Sequence, residues 1–177
     1  MGFLMGLDLS LTSTGVSINE KTSVVSTKTR GAERLHVVSS TILELCIHEN
    51  IICVVVEGYS FASRNSQAHS IGELGGAVRM KLWENNIPYV EVPPSCRAKF
   101  ATGKGNAGKN EVVSSVSAKT GIIFSGSGGD DECDAWLLEQ MGLTHLKKSK
   151  YEWSEASISS LSKIDWSHLD KIIESDK

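Results

Sequence analysis

The sequence predicts an α/β fold, a mixed five-stranded sheet flanked by helices. Three observations carry this. The run Ile51 to Val56, with three consecutive valines, is apolar on both faces and belongs to a central, covered strand. Helical stripes lie on either side of it along the chain, over 32–50 and 67–85. Two short segments near the start alternate with period two around a polar loop, which is a hairpin pattern. A hairpin gives antiparallel pairs and later helical crossovers give parallel ones, so the sheet is mixed.

The elements follow in order. Residues 3–8 read as a buried strand ending in the carboxylate of Asp8. Gly15-Val16-Ser17-Ile18 and Ser23-Val24-Val25-Ser26 form the hairpin, with 19–22 as its loop. Leu35, Val38, Ile42, Leu45 and Cys46 make the stripe of the first helix. The long apolar strand ends at Glu57, and 58–66 are a loop. In the helix over 67–85, Gly72, Gly75 and Gly76 predict a second backbone packed close by. Residues 88–92 form a short strand stopped by Pro93-Pro94, and 95–108 read as a basic, Gly-rich stretch. A helix over 110–119, a flexible loop at 125–129 and a core helix over 130–141 complete a domain of residues 1–143. Residues 144–177 read as a polar extension with weak helical patches at 154–163 and 167–174. Trp136 is expected in the core, and Trp153 and Trp166 as anchors of the extension.

A length of 177 residues suits one domain with a short appendage, at roughly 150 residues per domain. No apolar run approaches the roughly 18 residues of a membrane span. The first residues lack the basic region of a secretory leader, and Cys46, Cys53, Cys96 and Cys133 show no CxxC pair. Reduced, buried thiols in a cytoplasmic protein are expected. The net charge of −3 does not announce nucleic-acid binding, so local charge has to decide.

The carboxylates are the informative feature. Asp8 and Glu57 each end a strand, and ligands of open α/β sheets bind at strand ends. Asp131 and Asp134 stand three apart at the start of a helix and share a face. Asp130 and Glu132 compete with Asp131, but Asp134 leads into the core residues Ala135, Trp136 and Leu137, which favours the face of 131 and 134. If the first and fourth strands are neighbours, all four acids meet. Crowded ionised carboxylates need a counter-charge, and a hard divalent cation held by oxygen supplies it. Two such ions, about 3.5–4 Å apart, could clamp the attacking and leaving oxygens of a phosphodiester. The plainer alternative is that acids at strand ends and helix starts only suit solvent and the helix dipole.

Several short motifs occur in a fixed order: Gly6-Leu7-Asp8 with Thr14-Gly15; Glu33-Arg34-Leu35; Val55-Val56-Glu57 followed by Phe61, Asn65 and Ser66; Gly72-Glu73-Leu74-Gly75-Gly76; Gly103 to Lys109; and Asp131-Glu132-Cys133-Asp134-Ala135. In that order and spacing the chain resembles the RuvC-type Holliday junction resolvases over roughly residues 4–142, and its divergence resembles that of phage-encoded members. The resemblance implies a ribonuclease H-like fold and a homodimer cutting four-way or otherwise branched DNA. It also implies that Asp8, Glu57, Asp131 and Asp134 are the catalytic acids holding two Mg²⁺ ions, with Mn²⁺ as a substitute. Two departures stand out. Leu9 and Ser10 replace the usual Pro-Gly after the first acid, and Ala98 replaces a family lysine, with Arg97 and Lys99 on either side of it.

Arg97, Lys99, Lys104 and Lys109 lie in a segment without acids, a local charge of +4. It reads either as a phosphate-binding segment or as a solvated loop, and an acid cluster nearby favours the first. Tyr59 and Phe61 follow Glu57 in a loop and could stack on bases or turn into the core. Two other functions compete. An actin-like ATPase or sugar kinase would use Asp8 to Gly15 as a phosphate loop, but it needs two copies of the fold and the chain is too short. An inactive DNA-binding scaffold would not need all four acids.

Overall fold

The structure is a computed structural model, and it describes residues 2–59 and 67–175. The strands are β1 (Phe3–Asp8), β2 (Thr14–Ile18), β3 (Lys21–Val25), β4 (Ile51–Glu57) and β5 (Tyr89–Val92). They form a five-stranded sheet in the order β3-β2-β1-β4-β5. β1 pairs antiparallel with β2 and parallel with β4, and β4 pairs parallel with β5. The sheet is therefore mixed, and the neighbouring of the first and fourth strands is met. The hairpin between β2 and β3 is tighter than expected. Only Asn19 and Glu20 form its turn, both with positive φ (51° and 62°), the twist that a two-residue hairpin demands.

The helices are α1 (Gly31–His48), α2 (Gln67–Glu84), α3 (Pro94–Thr102), α4 (Lys109–Thr120), α5 (Gly129–His145), α6 (Glu155–Leu161) and α7 (Ser167–Ser175). The sheet separates two apolar layers. Met5, Leu7, Val54 and Val56 pack with Val38 and Ile42 of α1 and with Leu74 and Val78 of α2. Leu4, Cys53, Val55, Val90 and Val92 pack on the opposite side, against α3, α4 and α5. Side chains alternate along a strand, so Asp8 shares the face of Leu4, and Glu57 that of Cys53 and Val55. Both acids thus point to the layer that contains α5.

Gly6 and Gly15 bring α5 close. A Cβ on Gly6 would lie 1.9 Å from the Ala135 carbonyl oxygen, and one on Gly15 would lie 2.0 Å from that of Asp131. Only a residue without a side chain lets the helix backbone lie there.

Two expectations need correction. Residues 95–108 are not an extended Gly-rich stretch, because 94–102 is helical. Pro94 stands in the first turn, where its missing N–H costs nothing, and Gly103 closes the helix at φ 81°. Residue 143, the expected end of the domain, lies inside α5. Trp153, Leu161, Ile164, Trp166 and Leu169 are buried in the same core as Trp136 and Phe100, and the Trp153 ring lies 4.1 Å from that of Phe100. The last correction concerns α2. Gly75 faces the Tyr59 side chain rather than a backbone, and a Cβ on Gly72 or Gly76 would meet no described atom within 4 Å.

All four cysteines are free and buried. No helix among the described residues is long and apolar enough to cross a membrane.

Candidate active site

The sheet register sets the site. Leu7 pairs with Val56, so Asp8 and Glu57 end adjacent parallel strands. Their carboxyl groups are close enough for each to feel the other's charge. α5 crosses above them, and its first turns carry Asp131 and Asp134. Asp8 is 6% exposed and Asp134 is 2% exposed. Burial first, then the neighbouring Glu57 and Asp134 charges, push Asp8 well above the usual carboxylate range. Burial also drives Asp134 up to about 7, although Arg97 opposes the shift. Carboxylates held this way take up either protons or a cation.

The cation in place is Arg97. It was expected beside the three lysines as a DNA contact, but α3 turns it inward, and it is 9% exposed. Its Nε donates to Glu57 Oε1 at 2.9 Å, and its Nη1 donates to Asp134 Oδ1. Burial opposes its charge, yet Glu57, Asp134 and Asp8 together hold the guanidinium firmly protonated. The position that the family gives to a lysine, Ala98, is buried in the core.

Lys109 begins α4 at the rim of the cluster. Its Nζ lies 2.7 Å from Asp130 Oδ2 and 3.5 Å from Asp131 Oδ1. Burial alone would lower its pKa, but the hydrogen bond to Asp130 and the charges of Asp130 and Asp131 raise it to about 12. Lys104 pairs with Glu111 on the surface, and Lys99 is half-buried without an ion pair to any described residue. Tyr59 is engaged rather than projecting. Its hydroxyl donates to the Gly72 carbonyl at 3.2 Å, and the Arg79 guanidinium stacks 4.6 Å from its ring centre. Phe61, the other expected aromatic, lies outside the described residues, as do Asn65 and Ser66.

One feature went unread in the sequence. An open cleft of about 560 Å³ adjoins Asp131, lined by Ser10, Thr12, Ser13, Ser26, Ser127 and Lys109 among others. Thr14 Oγ1 donates to the Ser10 carbonyl at 3.0 Å, which shapes the turn where the family has Pro-Gly. Scattered Ser and Thr in a loop carry no periodic signal, so only the fold collects them.

The donor set suits a hard divalent cation, since every acid in the cluster offers oxygen alone and Arg97 stands in for positive charge there. Among the described residues no three metal-ligating side chains already stand in coordination geometry.

A sequence model described as crossover junction endodeoxyribonuclease RuvC matches residues 4–123. The chain belongs to the RuvC family. That match ends before α5, the helix that carries Asp131 and Asp134. The RuvC of Carboxydothermus hydrogenoformans is 26% identical over 153 residues, covering 81% of this chain and 96% of that protein. Thermus thermophilus RuvC superposes with a TM-score of 0.64 at 22% identity, covering 85% of this chain and 99% of that one. The same protein in complex with a Holliday junction substrate gives a TM-score of 0.66 at 21% identity, covering 86% and 100%. The architecture is thus the ribonuclease H-like fold of the RuvC proteins.

Proposed function

We propose that the chain is a divalent-metal-dependent endonuclease that resolves Holliday junctions and acts as a homodimer in the cytoplasm. One observation carries this reading. In a RuvC-family chain, Asp8 and Glu57 end adjacent central strands and Arg97 ties Glu57 to Asp134 of α5, with Asp8 and Asp134 almost fully buried and Asp131 one turn earlier on the same helix.

Asp8, Glu57, Asp131 and Asp134 would hold the ions, Mg²⁺ or Mn²⁺. When bound, such ions activate water and stabilise charge on the attacking and leaving oxygens. The chain's own residues do the rest. β1 and β4 hold Asp8 and Glu57 side by side, and burial together with the Arg97 ion pair fixes the Asp134 carboxyl in place. Lys109, at the rim, is placed to hold the phosphate next to the cleaved one once DNA competes for its ion pair. The hydroxyl-lined cleft beside Asp131 suits the sugar-phosphate path of the strand. Lys99 and Lys104 extend the positive rim.

A four-way junction has two-fold symmetry and needs two cuts, while one chain carries one acid cluster. Two copies are required. The outer stripe of α2 suits their contact. A Cβ on Gly72 or Gly76 would meet no described atom within 4 Å, and in line with them Met80 is 56% and Trp83 77% exposed.

The test is a cleavage panel. The protein is incubated with a four-way junction, with a linear duplex and with ATP, each in Mg²⁺ or EDTA. Cleavage of the junction alone, and only in Mg²⁺, is expected. ATP hydrolysis, or junction binding with no cleavage in any divalent metal, would overturn the reading.

A further inference from the structure

Among the described residues, Arg97 is the cation that bridges Glu57 and Asp134. It comes from neither the strands nor the helix that carry the acids. α3 delivers it from the side, wedged among Cys96, Ala98, Phe100 and Ala101, which are all buried. A guanidinium stays charged at every working pH and presents its donors as a rigid fork. Here the fork takes one oxygen of Glu57 and one of Asp134. Those two residues sit on different elements, β4 and α5. The contact therefore does two things at once. It cancels charge that would otherwise drive sheet and helix apart, and it occupies oxygens that a metal ion needs.

A divalent cation and a guanidinium cannot share the same carboxylate oxygens at contact distance, because they repel each other where water does not screen them. We propose that Arg97 is the resident counter-ion of the acid cluster, and that a divalent metal binds there by displacing its guanidinium from Glu57 and Asp134. This rests on the reading of the acids as metal ligands and adds to it. Metal affinity is set by competition with a tethered side chain as well as by the carboxylates. The two bound states are linked, so whatever favours the Arg97 contact weakens metal binding by the same factor. Arg97 is thus a positioning residue. It keeps the cluster assembled before metal arrives.

A purely structural arginine would behave in the opposite way on removal, loosening the site and lowering metal affinity. The experiment uses the full chain, stripped with chelator. Mn²⁺ binding is followed by the signal of the free ion and by calorimetry for wild type, Arg97→Ala and Arg97→Lys. Thermal melting in EDTA is measured alongside. Arg97→Ala should bind the first Mn²⁺ on the order of tenfold more tightly than wild type. It should melt lower in EDTA and regain more on adding Mn²⁺. Arg97→Lys should fall between, as a point charge without the fork. If Arg97→Ala does not fold, Arg97→Lys carries the same comparison. Equal or weaker Mn²⁺ binding by the folded variants overturns the inference while leaving the metal site standing. Absence of Mn²⁺ binding in wild type and variants alike overturns the metal-site reading, and the inference with it.

Discussion

Asp8, Glu57 and Asp134 owe their legibility to periodicity. A residue at the end of a strand inherits its face from the alternation before it, and two acids three apart on a helix share a side. Arg97 was legible as a basic residue but not as an inward one. Its direction depends on α3, and the Pro-Pro and Gly residues around α3 read as breakers when they are in fact its first turn and its cap. The rim lysines are simpler. Lys99→Ala and Lys109→Ala should each weaken junction binding and flatten its salt dependence by about one unit of log–log slope. Binding titrations over a range of salt measure this, and unchanged slopes in both variants would place the DNA elsewhere.

The element that assembles the site is α5, and it is tied to the sheet at two points. The first is the pair of glycines beneath it. Gly15→Ala puts a methyl group against the Asp131 carbonyl, and backbone cannot step aside as a side chain can. A loss of about 1–3 kcal/mol in denaturant unfolding is expected, together with weaker Mn²⁺ binding, because the helix lifts away from Asp8. The second tie is Glu139. Its carboxylate accepts from Ser17 Oγ at 2.5 Å and from the Glu20 N–H at 3.1 Å, so α5 is bonded to β2 and its turn. Burial nevertheless holds the Glu139 pKa above the ordinary value. The folded state then keeps its proton to higher pH than the unfolded chain does. That stabilising share is complete below the ordinary carboxylate range and is lost as pH rises through the folded value. Glu139→Gln does not titrate. Its melting temperature should gain on that of wild type as pH rises from 4 to 8. A difference independent of pH would show that the hydrogen bonds, not the burial, govern this residue. Neither tie could be read ahead of the fold, since both depend on which strand the helix crosses.

At the scale of the molecule, the sheet, its strand order and the two helical layers follow from apolar patterning. The last 33 residues do not. Trp153 and Trp166 were legible as anchors, but their place in the core with Phe100 and Trp136 follows only from the fold. Trp153→Ala should cost about 3–5 kcal/mol, measured by equilibrium unfolding, and a chain ending at residue 143 should fail to fold cooperatively. The paired cut also belongs to this scale. Excess Asp8→Asn protein mixed with wild type should leave singly nicked junctions on a closed circle in place of linear products, because nearly every dimer that contains a wild-type subunit then holds one working site. Linear products persisting at every mixing ratio would contradict two-copy action.

The central claim is that the buried acids at the ends of β1 and β4 and on α5 form one metal-dependent cutting site. Asp8→Asn tests it most directly. The substitution keeps the shape of the side chain and removes the charge that would hold the ion, while the proposed phosphate contacts lie on other residues. Junction cleavage in Mg²⁺ should fall by about 10³-fold or more, some 4 kcal/mol of transition-state stabilisation, with junction affinity within a few-fold of wild type. Cleavage by Asp8→Asn at the wild-type rate would contradict the account.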